Sequence, residues 1–142
     1  MSATKPSWNV GDELADLTLP PVTRLQLIKY AGASGDYNPI HTIDEAAEEA
    51  GLPGVIAHGM LTAAALSFPF SPYLEHGYVK ELKTRFSGMV YVGDEIAIGG
   101  HVLKKEDSEE GCFYTFEVHA SNGESTVASG TVGFLVFGNL YE

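Results

Sequence analysis

Apolar and polar positions change rhythm along the chain. After a polar, irregular start through Ser7, Leu14 to Val22 offers scattered apolar positions broken by Pro20 and Pro21, which predicts short edge strands. Thr23 is placed to cap a helix in which Leu25, Leu27, Ile28 and Tyr30 recur at roughly helical spacing, and Gly35 ends it. Asp44 is expected to cap a small acidic helix over Glu45 to Ala50, stopped by Gly51. Met60 to Phe70 is then almost wholly apolar. A helix apolar on every side needs cover on every side, so the rest of the domain is expected to surround it.

Beyond Gly77 the period becomes two. Val79 to Val92, Glu95 to Leu103, Cys112 to Ala120 and Ser125 to Phe137 are expected as four long strands. Gly93-Asp94, the acidic Lys105 to Gly111 stretch and Asn122-Gly123 separate them as turns, the last a strong hairpin signal. Strands this regular after two helices imply an α+β fold with an antiparallel sheet, and the apolar run is what that sheet would enclose.

At 142 residues the chain is expected to be one domain, 1–142, with one site. Hydrophobic residues at 44% and charged residues at 19% fit a folded, water-soluble protein. The net charge of -11 and the lack of a dense basic run argue against a nucleic-acid partner. Met60 to Phe70 is too short to span a bilayer and contains Pro69, so no membrane segment is expected. Cys112 is the single cysteine, and Met1 to Gly11 lacks the apolar core of a secretory signal, which together predict a reducing cytoplasm.

Chemistry concentrates in Ser34-Gly35-Asp36-Tyr37-Asn38-Pro39-Ile40-His41, where a carboxylate and an imidazole share one short loop stiffened by Pro39. Converging on one water, such a pair can perform general acid/base work without a metal. Ala57-His58-Gly59-Met60 opens the apolar helix, which makes the Gly59 amide an unpaired donor able to hold developing negative charge, worth on the order of 3 kcal/mol. Glycine there also permits close approach of a substrate. Ser67 reads equally as a site residue or as a small packing residue bonded one turn back. His58 reads as a cap or loop brace, and His76, His101 and His119 show no ligand spacing, so none of these four is assigned a catalytic role. Phe68, Phe70, Phe113, Tyr114 and Phe116 are expected mainly as core, and Cys112 as a small packing residue.

The Ser-Gly-Asp-Tyr-Asn-Pro-Ile-His string, followed by Ala-His-Gly-Met, resembles the hydratase signature of the MaoC-like proteins, among them (R)-specific enoyl-CoA hydratases and (3R)-hydroxyacyl-ACP dehydratases. The likeness runs from about Gly11 to Phe137. It implies a hot-dog fold, a curved antiparallel sheet wrapped around one helix, with dimers joining two sheets edge to edge. By position, Asp36 and His41 match the family's catalytic pair, Gly59 its oxyanion-hole amide, Ser67 a serine on the same helix, and Asn38 a loop-bracing residue. The implied reaction is reversible (R)-specific hydration of trans-2-enoyl thioesters, or dehydration of (3R)-hydroxyacyl thioesters, on coenzyme A or acyl carrier protein, with no cofactor and no metal. The alternatives are a hot-dog thioesterase and one subunit of a heterodimeric dehydratase. A homodimer, or a heterodimer with a homologous subunit, is expected. Lys83 and Arg85 share a strand face that suits solvent, the other reading being contact with coenzyme A phosphates or a carrier protein. Phe68-Pro69-Phe70-Ser71-Pro72 departs from the resemblance, since it should interrupt the central helix early.

Overall fold

The computed structural model describes residues 4–138, so both ends of the expected 1–142 domain, 1–3 and 139–142, lie outside the described residues. In chain order the elements are β1 (Leu17–Thr18), α1 (Arg24–Ser34), a 3-10 turn at Pro39–His41, α2 (Asp44–Glu49), α3 (Gly59–Ala65), a 3-10 stretch at Phe68–Tyr73, β2 (Gly77–Phe86), β3 (Ala97–Ser108), β4 (Gly111–Ser121) and β5 (Thr126–Phe137). The strands form one antiparallel sheet in the order β1-β3-β4-β5-β2. It curls around α3 as the hot-dog expectation requires.

Alternation places Phe116, Val118, Ala120, Val132 and Phe134 on the concave side, each fully buried. Phe70, also fully buried, stacks on Phe134 at 5.3 Å and meets Phe116 edge-on at 4.8 Å. Trp8, from the segment before β1, closes that end of the core with edge contacts to Tyr73, Tyr114 and Phe116. No described helix is long and apolar enough to cross a membrane.

Several boundaries differ from the sequence expectation. The strand expected through Val92 ends at Phe86, because the Ser87 and Gly88 amides both turn onto the Val127 carbonyl, at 2.9 and 3.2 Å, and leave the ladder. The acidic stretch expected as a turn is mostly the end of β3. Its reversal is only Glu109-Glu110, and Lys105 lies against the Tyr114 ring and donates to the Trp8 carbonyl, so aromatic cover replaces apolar alternation there. Asp44 does not cap α2: it is the first helical residue and its carboxylate instead takes the Arg24 guanidinium at 2.9 Å, tying α2 to α1. The apolar face of α1 is split, with Leu27 and Ala31 buried while Leu25 and Ile28 face solvent.

The apolar run is not one helix. Pro69 lacks the N–H that would bond the Ala65 carbonyl, and its ring crowds that carbonyl, so the α-helix ends at Ala65 and the chain continues in tighter 3-10 turns. Nor is the run covered on every side. Met60 is 63% exposed and Phe68 43%, leaving one flank of the central helix bare.

Candidate active site

The site is built from the loop after α1 and the segment entering α3. Gly35 stops α1 in the left-handed region at φ 75°, and its amide closes onto the Ala31 carbonyl. Side chains then fold the loop onto itself. Ser34 Oγ accepts from the Asp36 amide at 3.1 Å, Asp36 Oδ1 from the Asn38 amide at 3.2 Å, and Asn38 Oδ1 from the Ile40 amide at 3.2 Å. Asn38 therefore braces the loop, and Pro39 starts the 3-10 turn that carries His41 inward.

His41 is buried, and its Nδ1 lies 2.7 Å from the Ile56 carbonyl oxygen. A carbonyl only accepts, so Nδ1 carries the hydrogen and in the neutral ring Nε2 keeps its lone pair. That Nε2 is 3.8 Å from Asp36 Oδ2, too far for a direct bond. A water about 2.8 Å from each atom would see them at an angle of about 85°, which is open enough for one molecule to bond both. Asp36 is half exposed and His41 is not, so the carboxylate meets solvent while the imidazole is shielded behind it.

Sequence reasoning gave His58 no catalytic role, and the structure places it against both members of the pair. Its Nε2 lies 3.1 Å from the Asp36 backbone carbonyl, and its ring stacks on His41 at 3.9 Å with a tilt of 23°. Tyr30 meets its edge at 4.8 Å. It makes no side-chain cap to α3, so of its two expected readings the loop brace is the one observed. Its Nδ1 is buried without a partner among the described residues, which costs about 1–3 kcal/mol for a lone buried acceptor. Ligand atoms of Asp36, His41 and His58 lie within 4.8 Å of one another, yet the set fits a metal poorly. With ring centroids 3.9 Å apart and planes tilted by only 23°, the two imidazoles are stacked nearly parallel, so their in-plane lone pairs do not converge on one ion at the about 2 Å that a metal–imidazole bond needs.

Gly59 is the first residue of α3, so its amide has no intrahelical carbonyl to bond. It borders a hollow of about 170 Å³ walled by His41, Thr62, Phe86, Met89 and Val127. Ala57, Thr62 and Val90 also wall a second, largely apolar cavity of about 360 Å³, which extends along α3 to Leu61, Ala65 and Phe68. His41 and Gly59 thus share the smaller hollow, with Asp36 beside His41 and the larger apolar cavity on the other side of Ala57, Thr62 and Val90. Ser67 is not brought to them: it lines neither hollow, and its hydroxyl donates to the Ala64 carbonyl at 2.6 Å. Lys83 and Arg85 lie on the opposite sheet face, since Phe86, one position on, turns its ring to Gly59, and Lys83 pairs with Glu81 at 3.0 Å. His101 on β3 faces Glu117 of the neighbouring β4 at 3.5 Å, away from the pair.

Comparison with known proteins bears on the family and the fold. The fatty acid synthase subunit beta of Aspergillus oryzae is 42% identical over 72 residues, which is 49% of this chain and 4% of that protein. The 3-hydroxyacyl-thioester dehydratase X of Mycobacterium tuberculosis is 50% identical over 54 residues, 34% of this chain and 19% of that one. The chain therefore matches only a small part of these longer relatives. Among solved structures, the (R)-hydratase from A. caviae involved in PHA biosynthesis superposes with a TM-score of 0.81 at 22% identity, over 92% of this chain and 98% of that one, a likeness of fold. The MaoC like domain model matches residues 10–124, and the chain belongs to that family.

Proposed function

We propose that this protein adds water reversibly and (R)-specifically to trans-2-enoyl thioesters, or in reverse dehydrates (3R)-hydroxyacyl thioesters, carried on coenzyme A or acyl carrier protein. The observation that carries this reading is the 3.8 Å separation of Asp36 Oδ2 and His41 Nε2 on a loop beside the Gly59 amide and an apolar cavity. A water between the two side chains gives one proton to the free lone pair of His41 Nε2 while its oxygen bonds C3 of the enoyl group. Asp36 holds the other hydrogen. Electron density moves to the thioester oxygen, where the Gly59 N–H stabilises it, and C2 then takes a proton back from the pair, leaving both groups as they began. Asn38 keeps the loop in shape, and the apolar cavity beyond Thr62 receives the acyl chain. The names of the longer relatives, a 3-hydroxyacyl-thioester dehydratase among them, support the same chemistry.

The bare flank at Met60 and Phe68 and the outer edge of β2, which has no strand neighbour among the described residues, support a dimer, either of two copies or with a homologous subunit. A cytoplasmic setting suits the single, unpaired cysteine.

The test is hydration of crotonyl-CoA, followed by loss of the enoyl-thioester absorbance, in wild type, Asp36→Asn and His41→Ala. Each variant is expected to lose about 100- to 10,000-fold in kcat. Equal rates in all three would end the proposal, and release of free thiol in place of hydration would make the protein a thioesterase. Light scattering on the protein expressed alone distinguishes a homodimer from a chain that needs a homologous partner.

A further inference from the structure

We infer that His58 is a positioning residue that sets the geometry of the Asp36/His41 pair, by tethering the backbone that carries the carboxylate and backing the ring that carries the base. The inference rests on the acid/base reading of that pair. Three contacts meet in this side chain, which is 1% exposed: Nε2 to the Asp36 carbonyl at 3.1 Å, a stack on His41 at 3.9 Å, and the edge of Tyr30 at 4.8 Å.

The chemistry of the contacts fixes the ring's tautomer. The Asp36 carbonyl can only accept, so Nε2 carries the hydrogen, which leaves Nδ1 as a buried acceptor with no partner among the described residues. A leucine or phenylalanine would pack here without that cost, and an amide could make the hydrogen bond without a ring. Only histidine and the much larger tryptophan combine a flat ring with a ring N–H. The residue present is the one that performs both tasks at once, with the smaller of the two rings. A polar ring buried beside the reactive pair, with its hydrogen bond to one member and its stack on the other, points to a positional demand that packing alone would not impose.

The consequence is geometric. Asp36 is held through its own side chain to Asn38, which fixes the turn but not the distance from the loop to α3. Bonds to Ile56 hold the His41 end of the loop, and His58, which immediately precedes Gly59, holds the Asp36 end across 22 positions of sequence. Without the tether the carboxylate drifts from His41 Nε2, and a displacement of about 1 Å costs about 100-fold in rate.

Two substitutions separate the tasks. His58→Phe keeps a flat ring against His41 and Tyr30 but has no donor. His58→Gln restores a donor near the position of Nε2 without the ring. Both are assayed by enoyl-thioester hydration next to wild type and His41→Ala. His58→Phe is expected to lower kcat by about 10- to 100-fold with KM within about threefold, at a melting temperature near wild type, and His58→Gln to recover part of that loss. A His58→Phe enzyme with wild-type kcat, or a His58→Gln enzyme no faster than His58→Phe, overturns the inference. Long-range ¹H–¹⁵N correlation spectra of the wild-type imidazoles decide it even where both variants fail to fold. A slowly exchanging hydrogen on Nε2 of His58 is expected, and one on Nδ1 instead overturns it. Because the spectra need no substrate, they separate a missing tether from failure of the hydratase reading, which shows as an inactive wild type.

Discussion

Gly59→Ala separates the fold of this protein from its chemistry. A methyl group at Gly59 would stand 3.3 Å from Phe86 Cζ and 3.5 and 3.6 Å from the two Cε atoms. That is tight, but the obstacle is the outer end of a ring that is 50% exposed and free to tilt by a few tenths of an ångström. Against this small loss stands a gain of about 0.4–1 kcal/mol from the lower entropy of the unfolded chain when alanine replaces glycine at a backbone conformation it can adopt, so stability should remain within about 1 kcal/mol of wild type. At the size of this domain, that is a shift of about 2–4 °C in Tm. The hollow next to Gly59 is only about 170 Å³, and the new methyl occupies the approach to the amide. Pushing a thioester carbonyl about 1 Å from its donor should lower kcat/KM for crotonyl-CoA by about 100-fold, equivalent to about 2.7 kcal/mol in the transition state. Thermal unfolding and steady-state hydration on one preparation make the comparison. A Gly59→Ala protein that keeps wild-type kcat/KM would refute the placement of the thioester at this amide, and one whose activity falls only as its Tm falls would refute the separation.

Three further outcomes follow from packing and charge. Gly130→Ala would drive its methyl into the Lys83 backbone carbonyl on the neighbouring strand, where nothing can rotate away, so urea unfolding should show a loss of about 3 kcal/mol or more. Phe70→Ala empties the space between Phe116 and Phe134 and should cost about 3–5 kcal/mol by the same measurement. Burial, joined by the Asp107 carboxyl, pushes the Cys112 thiol up, while hydrogen bonding to Tyr114 and the charge of Lys105 only partly oppose it. Less thiolate at a given pH means that iodoacetamide should react with folded Cys112 more slowly than with the same residue in urea, and equal rates would contradict this. The matching stability effect is present below the unfolded thiol's pKa and is lost as pH rises through the higher folded value.

Local signals were the legible ones. Thr23 Oγ1 does cap α1, accepting from the Gln26 amide at 3.1 Å, and Gly35 ends that helix as its position implied. Asn122-Gly123 turns β4 into β5, with Asn122 Oδ1 accepting from the Glu124 and Ser125 amides. The Asp36/His41 loop was readable because its spacing and turn residues are consecutive in sequence. Strand lengths were less so: a register shift between Val102 and Lys104 turns Leu103 outward and breaks the alternation while β3 runs on to Ser108, and β2 stops at Phe86 where the Ser87 and Gly88 amides leave the ladder. The place of His58 was hidden for a similar reason. Its partners lie 17 and 22 positions back and are met through a stacked ring and a backbone carbonyl, neither of which leaves a periodic trace in sequence.

The two segments of the site are laced together mainly through main-chain atoms. The Ile56 amide bonds the Ile40 carbonyl, His41 bonds the Ile56 carbonyl, and His58 bonds the Asp36 carbonyl. Joined in both directions, the segments should breathe as one cooperative unit, so amide hydrogen exchange at Ile56 should share its opening free energy with the turn carrying His41. The same lacing frees position 56 to vary. Its role in orienting His41 belongs to a carbonyl that every amino acid possesses, so exchanges among apolar side chains there should perturb packing while leaving the imidazole's hydrogen where it is.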